Sequence, residues 1–132
     1  MYVFPPGTAL APQQTLVLAS SAEAFQLEHP GLVPDYEFYP TDPAVPDLTP
    51  IPFWGTGEWH LSNMGDEVVL LDARNLPLDV VVYGNGAYPR VQPHPGVSLS
   101  THSLERIPFA YDTDNCAVDF RDWAFPNPGE LP

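Results

Sequence analysis

The sequence predicts an all-β protein, organised as an antiparallel β-sandwich with one short helix near residues 21–28. Three observations favour this class. Short apolar and β-branched segments recur between turn residues, 18 prolines interrupt the 132-residue chain, and a single segment has a helix-forming composition. Because proline lacks a backbone donor and clashes inside helices, the intervals between prolines suit short strands and loops. With 44% hydrophobic residues, we expect a packed core and one domain over residues 1–132.

The strands predicted in the first half of the chain are short. Tyr2–Phe4 is predicted to be a strand that stops at the Pro-Pro-Gly break, and Thr15–Ala19 is apolar and β-branched, as in a buried strand. Residues 32–53 are rich in proline and aspartate and are predicted to form a long surface excursion. It has room for one short strand, at Tyr36–Tyr39. Long loops of this kind are often functional.

The predicted helix follows directly after the Thr15–Ala19 strand. Ser20 and Glu23 have the spacing of a capping box, in which each side chain bonds a backbone amide at the start of the helix. Phe25 and Leu27 are predicted to form its buried side. The helix is predicted to end at Pro30-Gly31.

The second half of the chain has the clearest strand pattern. Glu67–Leu71 and Leu78–Tyr83 are apolar runs on either side of the Asx-rich turn Asp72–Asn75, which predicts an antiparallel hairpin. Val97–Arg106 alternates in polarity, as in a half-buried strand. Shorter strands are predicted at Trp59–Ser62 and Ala117–Phe120.

The charge balance argues against two classes of partner. The chain has 17 carboxylates against four arginines and no lysine, a formal net charge of −13. Nucleic-acid and anionic-membrane binding need clustered cations, and the four arginines are scattered. No apolar run reaches the roughly 18 residues that cross a bilayer, and the N-terminus lacks the features of a signal peptide. We therefore expect no nucleic-acid partner and no membrane insertion.

Several spaced motifs together resemble the lamin-tail domains of bacterial secreted proteins. The similar segments are Phe4–Pro12, Leu61–Asp72, Asp79–Gly84, Ser103–Arg106, Asp112–Asp114, Asp119-Phe120 and Pro128-Gly129. The resemblance implies an immunoglobulin-like sandwich, with further strands before Phe4 of the type carrying Asn-Glu-Val and Glu-Trp-Ile-Glu-Leu. We therefore expect an N-terminally incomplete domain. An open sheet edge would then pair with a protein partner or with a second copy of the chain.

Two charged sites are predicted near the C-terminus. Asp112 and Asp114, with Asp119 close by, offer clustered oxygens for calcium, although the central glycine and bidentate glutamate of an EF-hand loop are missing. The alternative is an Asx turn that caps its own backbone amides. Apart from calcium we expect no cofactor. Arg106 is predicted to form a structural, bidentate ion pair with one of these three carboxylates.

Aromatic residues suggest one recognition surface. Tyr36, Phe38 and Tyr39 lie together on the predicted surface excursion, so we interpret them as a candidate recognition loop. The alternative is that these aromatic side chains pack in the core or at a sheet edge.

No catalytic signature is present in the sequence. His29, His60, His94 and His102 lack the short spacing of zinc ligands, and no serine has a G-x-S-x-G setting. The lone Cys116 lies among acidic residues, which disfavour a thiolate. We therefore expect a non-catalytic interaction module, not an enzyme. The resemblance implies an accessory domain of an extracellular or cell-surface bacterial protein. The alternatives are a calcium- or carbohydrate-binding module and a hydrolase fragment.

Overall fold

The computed structural model describes residues 1–54 and 58–131. This part of the chain is mainly β, with eight short strands and two short helices, neither of them long and apolar enough to cross a membrane. It divides into two compact units: unit 1 contains Met1–His60 and Pro128–Leu131, and unit 2 contains Leu61–Asn127. The strands form four two-stranded sheets. The mainly β character is therefore confirmed, whereas a sandwich of two larger sheets and a single domain stay predictions.

Unit 1 has two small sheets, one with antiparallel and one with parallel strands. Its elements are β1 (Tyr2–Val3), β2 (Leu18–Ala19), α1 (Ala22–Glu28), β3 (Tyr36–Glu37) and β4 (Thr49–Pro50). β1 pairs antiparallel with β4, whereas β2 pairs parallel with β3. The parallel pair departs from the antiparallel prediction. Parallel strands need a crossover connection, and the segment containing α1 supplies it.

Helix α1 lies where the sequence predicts it, but its cap and its buried side differ. Ser21, not Ser20, is the N-cap, and its Oγ accepts a hydrogen bond of 3.1 Å from the Ala24 amide. Leu27 is 82% exposed, so its assignment to the buried side is wrong. Ala22 is the buried residue of the helix. The reason is that the first turn of this short helix, rather than a face along its length, enters the interior of unit 1.

Residues 32–53 contribute much of the core of unit 1. Phe38, Val45 and Leu48 are buried there. The Phe38 ring stacks on Trp59 with centroids 4.0 Å apart and meets Tyr2 edge-on at 4.9 Å. The prediction of a surface excursion over 32–53 therefore misses these buried residues, although most of the segment is exposed. Proline fixes turns between the apolar residues of this segment, and the turns bring those residues inward.

Unit 2 begins with the predicted hairpin, which is confirmed. β5 (Gly65–Leu71) pairs antiparallel with β6 (Pro77–Gly84). Both strands are longer than predicted and reach a glycine, Gly65 in β5 and Gly84 in β6, at the end of the hairpin opposite the turn. The turn forms as its Asx residues predict, because Asp72 accepts hydrogen bonds of 2.8 Å from the amides of Arg74 and Leu76.

The remaining elements of unit 2 are β7 (Ser103–Arg106), α2 (Cys116–Asp119) and β8 (Phe120–Trp123). β7 and β8 pair antiparallel, with Arg106 opposite Phe120. The predicted strand Ala117–Phe120 is wrong up to Asp119, since the amides of Val118 and Asp119 both bond to the Asn115 carbonyl and close a helical turn; Phe120 begins β8.

Two other strand predictions are reduced or lost. Val97–Arg106 is extended over its last four residues, and Trp59–Ser62 contains no strand. Neither segment has a neighbouring strand along its whole length, and an unpaired backbone gains no ladder hydrogen bonds.

The core of unit 2 forms where α2 meets β6 and β8. Val82, Cys116 and Phe120 are buried together, and the half-buried residues around them are Val80, Val81, Tyr88, Val91 and Leu104. The Cys116 Sγ accepts a hydrogen bond of 3.4 Å from the Val82 amide. Burial raises the pKa of the Cys116 thiol, so this residue acts as a small core side chain.

Candidate functional site

The aromatic residues of the candidate recognition loop make contacts within unit 1. Phe38 is 6% exposed, so its assignment to a recognition surface is wrong. Tyr36 is half-buried, and its hydroxyl lies 3.1 Å from Thr8 Oγ1. Tyr39 is exposed, but its hydroxyl donates to the Trp59 carbonyl at 2.9 Å and accepts from the Trp59 amide at 3.1 Å. The packing alternative describes Phe38 and Tyr36, and the Tyr39 hydroxyl is held by the backbone of Trp59.

Glu37, which sequence reasoning missed, lies at the centre of unit 1. Its fully buried carboxylate accepts hydrogen bonds from the amides of Ala22 (2.8 Å), Thr41 (2.8 Å) and Asp42 (2.9 Å), and from the Thr41 hydroxyl. Burial raises the pKa of Glu37, but these four donors outweigh it and lower the pKa to about 2. The carboxylate joins β3 to the start of α1 and to the following loop.

Two of the three predicted calcium ligands, Asp112 and Asp119, bond to different protein groups. Asp119 is buried and accepts from the Thr113 amide at 2.9 Å and from the Thr113 hydroxyl at 2.7 Å. Asp112 lies 3.1 Å from Arg106 and accepts from the Asp114 amide at 3.2 Å. Within residues 1–54 and 58–131, no group of three or more His, Cys, Asp or Glu side chains has metal-binding geometry. Calcium binding stays a prediction, and the Asx turn is present.

Arg106 links three parts of unit 2. Its Nη2 donates to both carboxylate oxygens of Asp79, at 2.7 and 2.8 Å, and its Nη1 lies 3.1 Å from Asp112. Nη1 also donates to the Tyr111 carbonyl, and the guanidinium lies 4.7 Å from the centre of the Phe120 ring. Asp112 is among the partners that the sequence suggested. The sequence did not suggest Asp79, because this residue lies in β6, 27 residues before Arg106, and only the folded chain brings the two together.

Unit 2 also brings together Ser98, His102 and Asp122. His102 Nδ1 lies 2.7 Å from Asp122 Oδ1, and the Ser98 amide donates to Asp122 Oδ2 at 2.9 Å. The Ser98 hydroxyl lies 3.4 Å from the same His102 Nδ1. In a serine hydrolase the aspartate and the serine bond to opposite ring nitrogens. The arrangement here therefore lacks the geometry of a nucleophile with its general base.

Within this cluster, the pKa of Asp122 is strongly lowered. Hydrogen bonding from Ser98 is the largest cause that lowers the pKa of Asp122 to about 2, and His102 adds to it. Asp122 is therefore ionised at neutral pH, and it holds the Ser98 loop against β8.

The outer edge of β5, away from β6, is left open by the hydrogen-bond pattern of unit 2. Val82 donates its amide to Cys116 Sγ and accepts from the His94 amide at 2.9 Å, so its backbone polar groups point away from β5. In an antiparallel ladder, when one residue directs its amide and carbonyl away from the partner strand, the residue directly opposite does the same. Glu67, opposite Val82, therefore directs its amide and carbonyl to the outer side of β5, as does Val69 two residues later.

One end of this outer side is capped. The Glu67 amide donates to Asp66 Oδ1 at 3.0 Å, and Asp66 Oδ2 accepts from the Ser62 amide at 3.1 Å. Across the described residues, no strand or bridge pairs with β5 on its outer side. The backbone of Val69–Leu71 on that side is hereafter called the open edge.

Three leucines at the turn end of the hairpin are exposed and are hereafter called the leucine patch. Leu70 is 47%, Leu76 51% and Leu78 63% exposed. Single exposed apolar residues are ordinary, but a group beside an unpaired strand edge is typical of an interaction surface. The sequence predicted an open edge without identifying its strand. Asp66 and Glu67 at the start of β5 could have indicated that this is the edge strand, because charged residues commonly protect edge strands.

Comparison of the chain with protein families, with curated proteins and with solved structures gives no match.

Proposed function

We propose that this chain is a non-catalytic interaction module that binds an extended protein segment at the open edge of β5. The observation that carries the proposal is the unpaired Val69–Leu71 backbone next to the leucine patch. An added strand gains main-chain hydrogen bonds from such an edge and specificity from the side chains beside it.

The arrangement of β6 supports β5 as the binding strand. On its far side β6 is occupied by the bonds of Val82 to Cys116 and to His94. The hairpin is thus anchored to the core through β6. β5 receives an added strand without displacing any hydrogen bond of the described core.

The resemblance supports the wider setting. The segments similar to lamin-tail domains include Leu61–Asp72 and Asp79–Gly84, which form most of the β5–β6 hairpin, and Ser103–Arg106, which is β7. An immunoglobulin-like sandwich of that type and a place in a secreted or cell-surface bacterial protein are parts of the same proposal. They rest on analogy of fold and sequence.

The proposal predicts an exchange pattern for the β5 amides. The Val69 amide points outward and exchanges rapidly with deuterated water, whereas the amides of Val68 and Leu70 point toward β6 and are protected. Amide exchange resolved by NMR measures this directly. Strong protection of Val69 in the free, monomeric chain would mean that the edge is already covered, and would contradict the proposal.

Binding is tested with a library of random peptides displayed on phage and selected on the wild-type chain. Val69→Pro blocks strand addition, and it spares the β5–β6 ladder because the lost amide points outward. Val69→Thr keeps the amide and the branched shape and is the matched control. We expect selected peptides to bind wild type and Val69→Thr, and to lose about tenfold in affinity for Val69→Pro. Selected peptides that bind all three equally would refute the assignment of the site.

A further inference from the structure

We infer that the segment bound at the open edge is basic: an extended strand that carries lysine or arginine between apolar residues. This inference rests on the proposed function and specifies the chemistry of the partner. It follows from the charges around β5 and from the overall charge of the chain.

The carboxylates near β5 lie at both ends of the strand. Asp66 and Glu67 lie at its start, Asp72 follows its end, and Asp79 is opposite Leu70. Two of these have a cationic partner: Asp72 pairs with Arg74 at 3.1 Å and Asp79 pairs with Arg106 at 2.7 Å. Asp66 bonds only to amides in the contacts described above, and Glu67 is exposed. In the described part of the chain no arginine pairs with Asp66 or Glu67, so the start of β5 presents negative charge.

The apolar part of the surface lies at the other end. The leucine patch flanks the turn, and the open edge begins at Val69. A strand added to β5 thus meets carboxylates near Glu67 and hydrocarbon near Leu70. A partner strand that carries both basic and apolar residues complements both, since opposite charges across a strand pair stabilise it and like charges destabilise it.

A second copy of the chain is the less favourable occupant. Each copy has a net charge of −13, so close approach of two copies is opposed by long-range repulsion. Antiparallel pairing of two β5 strands also brings two acidic ends, and no lysine, into the same interface. The charge that opposes self-association favours a cationic segment.

The experiment compares three synthetic peptides labelled with fluorescein, by anisotropy with the full chain. KTVKVTVK is basic and forms a strand. ETVEVTVE has the same pattern with reversed charge. KTPKVTPK keeps the basic charge but cannot pair as a strand, because proline removes ladder donors. We expect KTVKVTVK to bind at least about tenfold more tightly than either of the other two, and more weakly as salt is raised.

Val69→Pro and Val69→Thr separate the edge from diffuse attraction. We expect Val69→Pro to weaken KTVKVTVK binding about tenfold and Val69→Thr to leave it within about twofold. Slower exchange of the wild-type Val69 amide in the presence of KTVKVTVK supports the site without any variant. Equal binding of KTVKVTVK and KTPKVTPK would overturn the inference, because net charge alone would then explain the affinity.

Two other outcomes distinguish this inference from the proposed function. If ETVEVTVE binds as well as KTVKVTVK and both depend on Val69, the edge is a binding site but its partner is not basic. If light scattering shows a dimer that Val69→Pro dissolves, a second copy is the occupant and the inference fails. If no peptide, selected or synthetic, depends on Val69, the proposed function fails as well.

Discussion

Unit 1 and unit 2 each bury a carboxylate, and each holds it with a threonine that donates both its amide and its hydroxyl. In unit 1, Thr41 serves Glu37, and in unit 2, Thr113 serves Asp119. The units differ in cations, because all four arginines lie in unit 2 and unit 1 has neither arginine nor lysine. Unit 1 therefore stabilises internal charge with neutral donors alone, while unit 2 adds the Arg106 ion pairs.

A very acidic chain therefore does not need cations to place a carboxylate inside. Four donors around Glu37 replace the hydrogen bonds that water would supply. Thr113 supplies the same kind of donors to Asp119, and Arg106 joins β6, β7 and the Asp112 loop. Substitutions in the two units test this division of roles.

The largest effect is expected for Glu37→Gln. The amide group of glutamine places a donor against backbone amides that now lack an acceptor, so the free energy of unfolding falls by about 3 kcal/mol. Glu23→Gln, exposed on α1, is the matched control, with a change within about 0.5 kcal/mol. Urea unfolding measures both.

The acid dependence of unfolding checks the same residue. The pKa of Glu37 is about 2 in the folded chain, below its value of about 4.3 in the unfolded chain. The unfolded state thus binds more protons, and the stability that Glu37 contributes is complete above about pH 5 and is lost as pH falls toward 2. Glu37→Gln should lose that part of the acid dependence. An unchanged acid profile would show that the carboxylate is not held as described.

The next largest effect is expected for Arg106→Lys. A lysine ammonium cannot bond Asp79 through two oxygens, reach Asp112 and lie over the Phe120 ring together, so we expect a loss of about 2 kcal/mol in the free energy of unfolding. Arg74→Lys is the control, because that arginine is exposed in its pair with Asp72 and should cost within about 0.5 kcal/mol. Equal costs for the two variants would mean that the Arg106 ion pairs contribute no more to stability than the exposed pair of Arg74.

The sequence predicted what depends on local pattern. The β5–β6 hairpin follows from two apolar runs around an Asx turn, and α1 follows from its helix-forming residues, although its cap is Ser21 and not the predicted Ser20. Both need only neighbours within the same segment. For the Arg106 ion pair, the residue type predicted the interaction and one of its partners, Asp112.

What the sequence could not predict depends on contacts between distant residues. Asp79 reaches Arg106 only through the packing of β6 and β7, 27 residues apart. Glu37 and Phe38 are adjacent, so strand alternation would expose one of them, yet both are buried because the loop after β3 folds over the carboxylate. In α2, the Asn115 carbonyl accepts hydrogen bonds from the Val118 and Asp119 amides, so a segment predicted as a strand forms a helical turn. No local pattern indicates these features.

The smallest effect concerns histidine and again separates the units. His94 in unit 2 is buried, and its Nδ1 accepts a hydrogen bond of 3.0 Å from the Gly96 amide, which requires a neutral ring. Burial lowers the pKa of His94, with Asp122 opposing the shift and Arg121 reinforcing it. In unit 1, His29 is half-buried and His60 is exposed. The pH dependence that His94 confers therefore belongs to unit 2.

Because the folded pKa of His94 lies below the unfolded value of about 6.5, the unfolded state binds more protons as pH falls through that value. The free energy of unfolding should decrease between about pH 7 and 5.5, with a slope that this one residue limits to about 1.4 kcal/mol per pH unit. His94→Asn keeps an acceptor for the Gly96 amide and should flatten that slope, whereas His29→Asn should leave it unchanged. Urea unfolding at a series of pH values measures all three proteins. A slope that survives in His94→Asn and disappears in His29→Asn would place the sensitive group in unit 1, and would reverse the contrast between the two units.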